Sequence, residues 1–138
     1  MKLLIDANII LDVLQNREPH VKASSVIWKL CETEQATGFV SALTFSNIVY
    51  VMRRELSAEK IENVLKIMTL IFKFTELSGT DLLAAAALRW NDYEDALQSV
   101  TAERVKADYI VTRNVKDFAE SKVAAYTPDE LISRFEKG

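Results

Sequence analysis

Two short apolar runs, near opposite ends of the chain, both stop abruptly on oxygen-bearing side chains. The run KLLI is followed by Asp6, and the run DYIV is followed by Thr112, Asn114 and Asp117. Unbroken apolar runs of this length are typical of strands that are buried on both faces, as in a parallel sheet covered by helices. The two runs therefore predict strands whose carboxyl ends carry polar groups.

The segments between these runs alternate between strand-like and helical patterns. Predicted strands cover residues 2–5, 39–41, 72–75, 108–111 and 123–126. Predicted helices cover 8–15, 21–35, 43–55, 80–90 and 93–106, with a further helix capped by Ser57, a helical turn over 115–119 and a last helix opened by Thr127, Pro128 and Glu130. Strands that alternate with helices favour an α/β fold, with a parallel sheet covered on both faces.

Length and composition are those of one globular domain spanning residues 1–138. Hydrophobic residues make up 49% of the 138 residues and charged residues 27%, and glycine and proline number only 3 and 2. The N-terminus has neither a basic leader with a cleavage site nor an apolar stretch long enough for a membrane span, so we expect a cytoplasmic protein without membrane contact. The net charge of −3 argues against a protein that coats nucleic acid through bulk electrostatics, but not against a nucleic-acid enzyme.

A third acidic segment, DYEDALQ, contains Asp92, Glu94 and Asp95. In open parallel sheets, ligands bind beyond the carboxyl ends of strands, where the strand order reverses. If the first and fourth strands are neighbours there, Asp6 and Thr112 line one crevice and the third segment can join them. Carboxylates gathered in this way need a positive partner, and oxygen ligands without histidine or thiolate suit Mg²⁺ or Mn²⁺. The residues thus indicate a metal-dependent phosphodiesterase or phosphatase.

Plainer readings of these residues remain open at this point. Asp6 and Asn114 could simply cap short helices, and Asp92 and Asp95 could be solvated acids at a helix N-terminus. We expect Asp12 to have a structural role rather than to bind metal. Two other α/β classes with an early aspartate fit poorly: dehalogenase-like phosphatases need a second aspartate where Asn8 stands, and receiver domains need an acceptor aspartate at a middle strand.

The sequence resembles the PIN domain family, in particular its small VapC-like toxins. The resemblance is carried by LLIDANIILDVL, VSALTFSNIVYVMRR, DYEDALQ and IVTRNVKDF, in that order. It implies a three-layer α/β/α sandwich with a central parallel sheet of about five strands, and a ribonuclease site that uses Mg²⁺ or Mn²⁺. By position, the resemblance assigns metal binding to Asp6, Asp95 and Asp117 with help from Asp92, and supporting roles to Thr112 and Asn114.

One position departs from the pattern of this family. A glutamate is usual early in the helix after the second strand, and here that position holds Asn47. An asparagine can hydrogen-bond a metal-bound water or ligate weakly, but it carries no charge and cannot act as a general base. Two hypotheses follow: a ribonuclease, with RNA as substrate, an antitoxin partner and a homodimeric state, or a degenerate module that binds RNA or protein without cleavage.

Overall fold

The structure is a computed structural model that describes residues 1–137. Its strands are β1 (Lys2–Ile5), β2 (Thr37–Ser41), β3 (Lys73–Thr75), β4 (Tyr109–Val111) and β5 (Ala125–Tyr126). Its helices are α1 (Ala7–Leu14), α2 (Val21–Glu32), α3 (Ala42–Met52), α4 (Ala58–Ile71), α5 (Gly79–Leu88), α6 (Tyr93–Arg104) and α7 (Pro128–Lys137), with a 3-10 helix at Val115–Phe118. Within this described part, no helix is long and apolar enough to cross a membrane.

The five strands form one parallel sheet in the order β3-β2-β1-β4-β5. The chain moves outward from β1 to β3 and then returns to the other side of β1 to form β4. Leu4 of β1 is consequently paired with Phe39 on one side and with Ile110 on the other. The strand order reverses between β1 and β4, which confirms the expected juxtaposition of the two polar segments.

Both faces of the sheet are covered, which explains the unbroken apolar runs. One face carries Leu3 and Ile5, which pack with residues of α1, α2, α3, α4 and α7: Ile9, Ile27, Ile48, Met68 and Leu131. The other face carries Leu4, which packs with Ala102 of α6 and with Phe118. The structure is therefore the predicted three-layer α/β/α sandwich, and the alternation of side chains along β1 divides its core in two.

The predicted helix starts are confirmed to within one residue, but the predicted ends were too late, by three residues in α2 and α3. Ser57 accepts a hydrogen bond from the backbone N–H of Lys60, and Thr127 and Glu130 cap each other reciprocally. Helix α2 ends at Glu32 rather than at residue 35, because Glu34 adopts a positive φ of 61° and turns the chain toward β2. Likewise α3 ends at Met52 rather than at residue 55.

The single cysteine of the sequence is a buried core residue. Cys31 is only 3% exposed, and burial raises the pKa of its thiol to about 12. A β-carbon on Gly38 would lie 2.7 Å from the Cys31 sulfur and 2.9 Å from the Phe72 ring. Only glycine at residue 38 lets β2 approach α2 this closely, so the thiol serves packing.

Candidate active site

Asp6 stands at the carboxyl end of β1 and is held by two hydrogen bonds. Its Oδ1 accepts from the backbone N–H of Ala7 at 2.8 Å, so it caps α1, and its Oδ2 accepts from the Thr112 hydroxyl at 2.8 Å. Its own backbone N–H donates to the carbonyl oxygen of Val111 at 3.0 Å, which ties the ends of β1 and β4 together. The capping role and a place in the site are therefore compatible.

The loop after β4 is organised around Thr112, which is fully buried. While its hydroxyl donates to Asp6, its oxygen accepts the backbone N–H of Asn114 at 3.1 Å. The carbonyl oxygen of Asn114 in turn accepts the N–H of Asp117 at 3.0 Å, at the start of the 3-10 helix. Thr112 thus fixes the path of the loop that presents Asp117, whereas the Asn114 side chain is exposed and makes no capping bond.

The third acidic segment forms the start of α6. Asp92 is the N-cap of this helix, and its Oδ1 accepts the backbone N–H of Asp95 at 3.1 Å. Asp92 therefore precedes the first helical turn, whereas Asp95 lies within it. Ala96 and Leu97 are buried as expected, so the core orients the helix with Asp95 toward the sheet edge.

The carboxylates of the three segments influence one another electrostatically. The pKa of Asp95 is raised to about 7, first by burial and then by the negative charges of Asp92, Asp6, Asp117 and Glu94. Burial also raises the pKa of Asp6, against the opposing effects of hydrogen bonds from Thr112, Ala7 and Gln98 and of the positive charge of Arg113. The fold therefore brings Asp6, Asp95 and Asp117 into one acidic site, where a bound cation would relieve the repulsion.

An open cleft of about 430 Å³ lies along this site. Asp92, Asp95 and Asp117 line it, together with Arg89, Trp90 and Lys116. The possible metal ligands in and beside the cleft are carboxylate, amide and hydroxyl oxygens, which are the ligand atoms that Mg²⁺ and Mn²⁺ prefer. Within residues 1–137, however, no three carboxylate, imidazole or thiol side chains stand close enough to form a closed metal cage. The arrangement suits an ion that keeps several of its waters.

The structure does not bring Asn47 together with the carboxylates by any hydrogen bond. Asn47 lies on the second turn of α3 and is half-buried, and its amide bonds to no other side chain of the described chain. The predicted helix is correct, but its first turn is fixed by Ser41 and Thr44 instead. The assignment of Asn47 to the site stays a prediction.

Gln98 is the site residue that sequence reasoning missed. It is 5% exposed, and its polar side chain helps to lower the pKa of Asp6. Its Oε1 accepts from the Ser41 hydroxyl at 2.9 Å, and its Nε2 donates to the Thr44 hydroxyl at 3.0 Å. The available signal was its spacing: Gln98 follows Asp95 by three residues and so shares its helix face, and Ser41 ends β2 at the same sheet edge.

Asp12 and Arg113 form a buried ion pair behind the site. Asp12 has no exposed surface, and its Oδ2 accepts from the Ser24 hydroxyl at 2.9 Å. Its Oδ1 lies 3.4 Å from Nη2 of Arg113. The structural role expected for Asp12 agrees with this contact. Arg113 thus holds its guanidinium against Asp12.

Substitution of Asp95 by asparagine is expected to stabilise the metal-free protein at high pH. The pKa of Asp95 rises from about 3.9 in an unfolded chain to about 7 in the fold, so the folded state loses stability as pH rises through this window. The uncharged amide removes that loss, which we estimate at about 1–3 kcal/mol after solvent screening. Urea unfolding in EDTA at pH 4 and pH 8 should show the gain at pH 8 alone, and equal gains at both pH values would contradict this account.

The fold and the site together define an α/β protein that gathers carboxylates at the carboxyl edge of a parallel sheet. The PIN domain family model matches residues 2–116. The chain therefore belongs to the PIN domain family. No curated protein matches the sequence.

Solved structures with the same fold include a toxin–antitoxin complex and a single toxin. FitAcB from Neisseria gonorrhoeae is 17% identical, with a TM-score of 0.69 over 91% of this chain and 97% of that one. A toxin–antitoxin complex from Klebsiella pneumoniae is 21% identical, with a TM-score of 0.69 over 91% and 97%. VapC20 from Mycobacterium tuberculosis, a toxin that cleaves the sarcin–ricin loop, is 8% identical, with a TM-score of 0.63 over 78% and 86%. These similarities establish a VapC-like PIN fold.

Proposed function

We propose that the protein is a metal-dependent endoribonuclease that hydrolyses RNA phosphodiester bonds. The observation that carries the proposal is the acidic site, where burial and the charges of Asp6, Asp92 and Asp117 raise the pKa of Asp95 to about 7. Carboxylates that repel one another at the edge of a sheet cost stability, and a bound cation offsets that cost. The cytoplasm, where RNA is abundant, is the compartment we propose for the reaction.

Each side chain of the site has a role in this proposal. Asp6, Asp95 and Asp117 would hold the ion, with Asp92 beside them, and Mg²⁺ or Mn²⁺ bound there would lower the pKa of a water and offset negative charge on the phosphoryl oxygens. Thr112 orients the Asp6 carboxylate through the bond to its Oδ2. Asn114 sets the loop that presents Asp117.

The comparisons support the biological class of this activity. VapC20, with the same fold, is a toxin that cleaves RNA, and other chains with this fold occur in toxin–antitoxin complexes. We propose by analogy that the protein is the toxin of such a pair, that an antitoxin protein holds it inactive, and that it works as a homodimer. These partners rest on similarity of fold.

The competing hypothesis is a module that binds RNA or a protein without cleaving it. Two observations favour it: the uncharged Asn47 stands where the resemblance leads us to expect glutamate, and the described residues form no closed metal cage. Against it, a site without chemistry has little reason to keep three mutually repelling aspartates. We therefore place the enzyme first.

Cleavage of a mixed-sequence fluorogenic RNA by purified protein tests the proposal. Cutting in Mn²⁺ or Mg²⁺, and none in EDTA, is the expected result. Saturable binding of the same RNA, without cutting in the presence of either metal, would contradict the proposal and support the module that binds without cleaving. Sequencing of the product ends would then define the cleaved bond.

A further inference from the structure

The cleft beside the acidic site has a second wall that the proposed metal chemistry does not use. Arg89, Trp90 and Lys116 line it, facing the same space as Asp95 and Asp117. Two cations and one aromatic ring next to a candidate phosphodiesterase site are the groups that bind a nucleic-acid strand. The cleft volume of about 430 Å³ falls within the range of pockets that accept a small molecule or a single nucleotide, about 300–1,000 Å³.

Arg89 occupies a backbone position that normally favours glycine. It is the C-cap residue of α5 and has a left-handed conformation, with φ 56° and ψ 35°. A β-carbon in this region costs stability, which is why glycine commonly ends helices. Its side chain is exposed, and within residues 1–137 no carboxylate lies within 4.0 Å of its guanidinium. Its charge is therefore available to a ligand.

Trp90 gives the cleft a rigid aromatic wall. It is half-buried and packs against two separate core clusters, and its ring meets Phe118 edge-on at 6.3 Å with an interplanar angle of 77°. These contacts fix the indole plane, so a base that stacks on it loses little freedom to protein rearrangement. Its indole N–H makes no hydrogen bond to another side chain or carbonyl of the described residues.

Lys116 completes the wall from the 3-10 helix. It is exposed, it directly precedes Asp117, and it pairs with no carboxylate within 4.0 Å in the described part of the chain. Glu120 also lines the cleft and adds a negative charge to those of the aspartates of the acidic site. Arg89 and Lys116 therefore offer two separate cationic contacts around one aromatic ring.

We infer that Arg89, Trp90 and Lys116 bind a nucleotide of single-stranded RNA adjacent to the scissile phosphate. Trp90 stacks on the base, and Arg89 and Lys116 contact backbone phosphates. A base is available for stacking on a side chain only when it is not stacked within a duplex, so this subsite selects unpaired RNA and tolerates any base. The position of the bound nucleotide next to the scissile phosphate rests on the proposed function, but the binding itself does not require cleavage.

A matched pair of glycine substitutions tests the role of Arg89. Lys106 also has a left-handed backbone, with φ 58°. It lies just after the C-terminal end of α6, whereas Asp95 lies in the first turn of that helix. Arg89→Gly and Lys106→Gly each remove one positive charge and relieve one strained residue, so each is expected to raise Tm by about 1–4 °C. Only Arg89→Gly should weaken RNA binding, by about 3- to 10-fold, and lower the slope of log affinity against log salt by about 0.7.

The affinities are measured with a short fluorescent single-stranded RNA and Mg²⁺, in an Asp6→Asn background that spares the probe from cleavage. Equal affinity in the two glycine variants, or no saturable binding by the parent protein, would overturn the inference. In otherwise wild-type protein, cleavage with an unchanged KM in Arg89→Gly would overturn it while leaving the proposed function intact. Binding that depends on Arg89, without any cleavage by wild-type protein, would support the inference and overturn the proposed function.

Fluorescence provides the second readout, because the chain has only two tryptophans. In a Trp28→Phe protein the remaining signal belongs to Trp90, and single-stranded RNA should quench it while a duplex of the same sequence should not. Trp90→Leu should weaken binding about 5- to 100-fold, and Trp90→Tyr should restore most of it. Equal quenching by a polyglutamate peptide would assign the cleft to a protein partner and overturn the inference.

Discussion

Replacement of Asp6 by asparagine is expected to lower the rate of metal-dependent RNA cleavage about 1000-fold or more. A catalytic metal contributes several kcal/mol of charge stabilisation, and each 1.36 kcal/mol corresponds to a tenfold change in rate. Asparagine keeps an oxygen that can accept the N–H of Ala7, so the cap of α1 survives. The substitution removes the charge and replaces the acceptor of the Thr112 hydroxyl by an N–H donor, so the hydrogen bond between residues 6 and 112 has to reverse its direction.

Two controls separate this loss of activity from a loss of fold. Burial raises the pKa of Asp6, so its ionised form is disfavoured in the folded state, and removal of the charge offsets the altered bond to Thr112. The free energy of unfolding of Asp6→Asn should therefore stay within about 1 kcal/mol of wild type in EDTA at neutral pH. Asp108→Asn makes the same chemical change at the opposite edge of the sheet, where Asp108 accepts the N–H of Lys2. Its activity should stay within about twofold of wild type. Full activity in Asp6→Asn would remove this residue from the mechanism.

Replacement of Arg113 by methionine is expected to destabilise the protein by about 3–5 kcal/mol. The substitution leaves Asp12 fully buried with only the Ser24 hydroxyl as a partner. An uncompensated buried charge is among the costliest defects that a single substitution creates. Urea unfolding at pH 7 measures the change in the free energy of unfolding.

An exposed ion pair supplies the control for this second prediction. Lys122 lies 3.7 Å from Glu103, and their side chains are 77% and 55% exposed. Lys122→Met should therefore change stability by less than about 1 kcal/mol. A second replacement, Asp12→Asn in the Arg113→Met protein, should recover much of the loss because it removes the stranded charge. A loss below about 1 kcal/mol in Arg113→Met would show that the pair is not a structural element.

The arrangement of strands could be predicted because it follows from short-range patterns. The runs KLLI and DYIV are unbroken because both faces of their strands are covered, and their abrupt polar ends identify the carboxyl edge. Helix starts were equally accessible, since Ser57 and Thr127 cap their helices through bonds to residues three positions later. Patterns that act over a few residues are visible in the sequence itself.

The partners of the buried polar groups could not be predicted in the same way. Ser41 and Gln98 are 57 residues apart and bond only because β2 and α6 meet at the sheet edge. Arg113 and Asp12 are likewise distant in sequence, and only tertiary packing brings the guanidinium to the carboxylate. Arg89 carried no signal at all, since its left-handed backbone is set by the turn between α5 and α6. Such contacts depend on the assembled fold.

In the proposed function, the carboxylates at the edge of the sheet hold a divalent cation. Titration of Mn²⁺ into metal-free protein by calorimetry, with thermal melting in the same samples, tests it most directly. We expect saturable binding of Mn²⁺ by the wild-type protein and a Tm that rises with Mn²⁺ concentration. Both effects should be lost in Asp95→Asn. Absence of binding and of any rise in Tm at millimolar Mn²⁺ in the wild-type protein would contradict it.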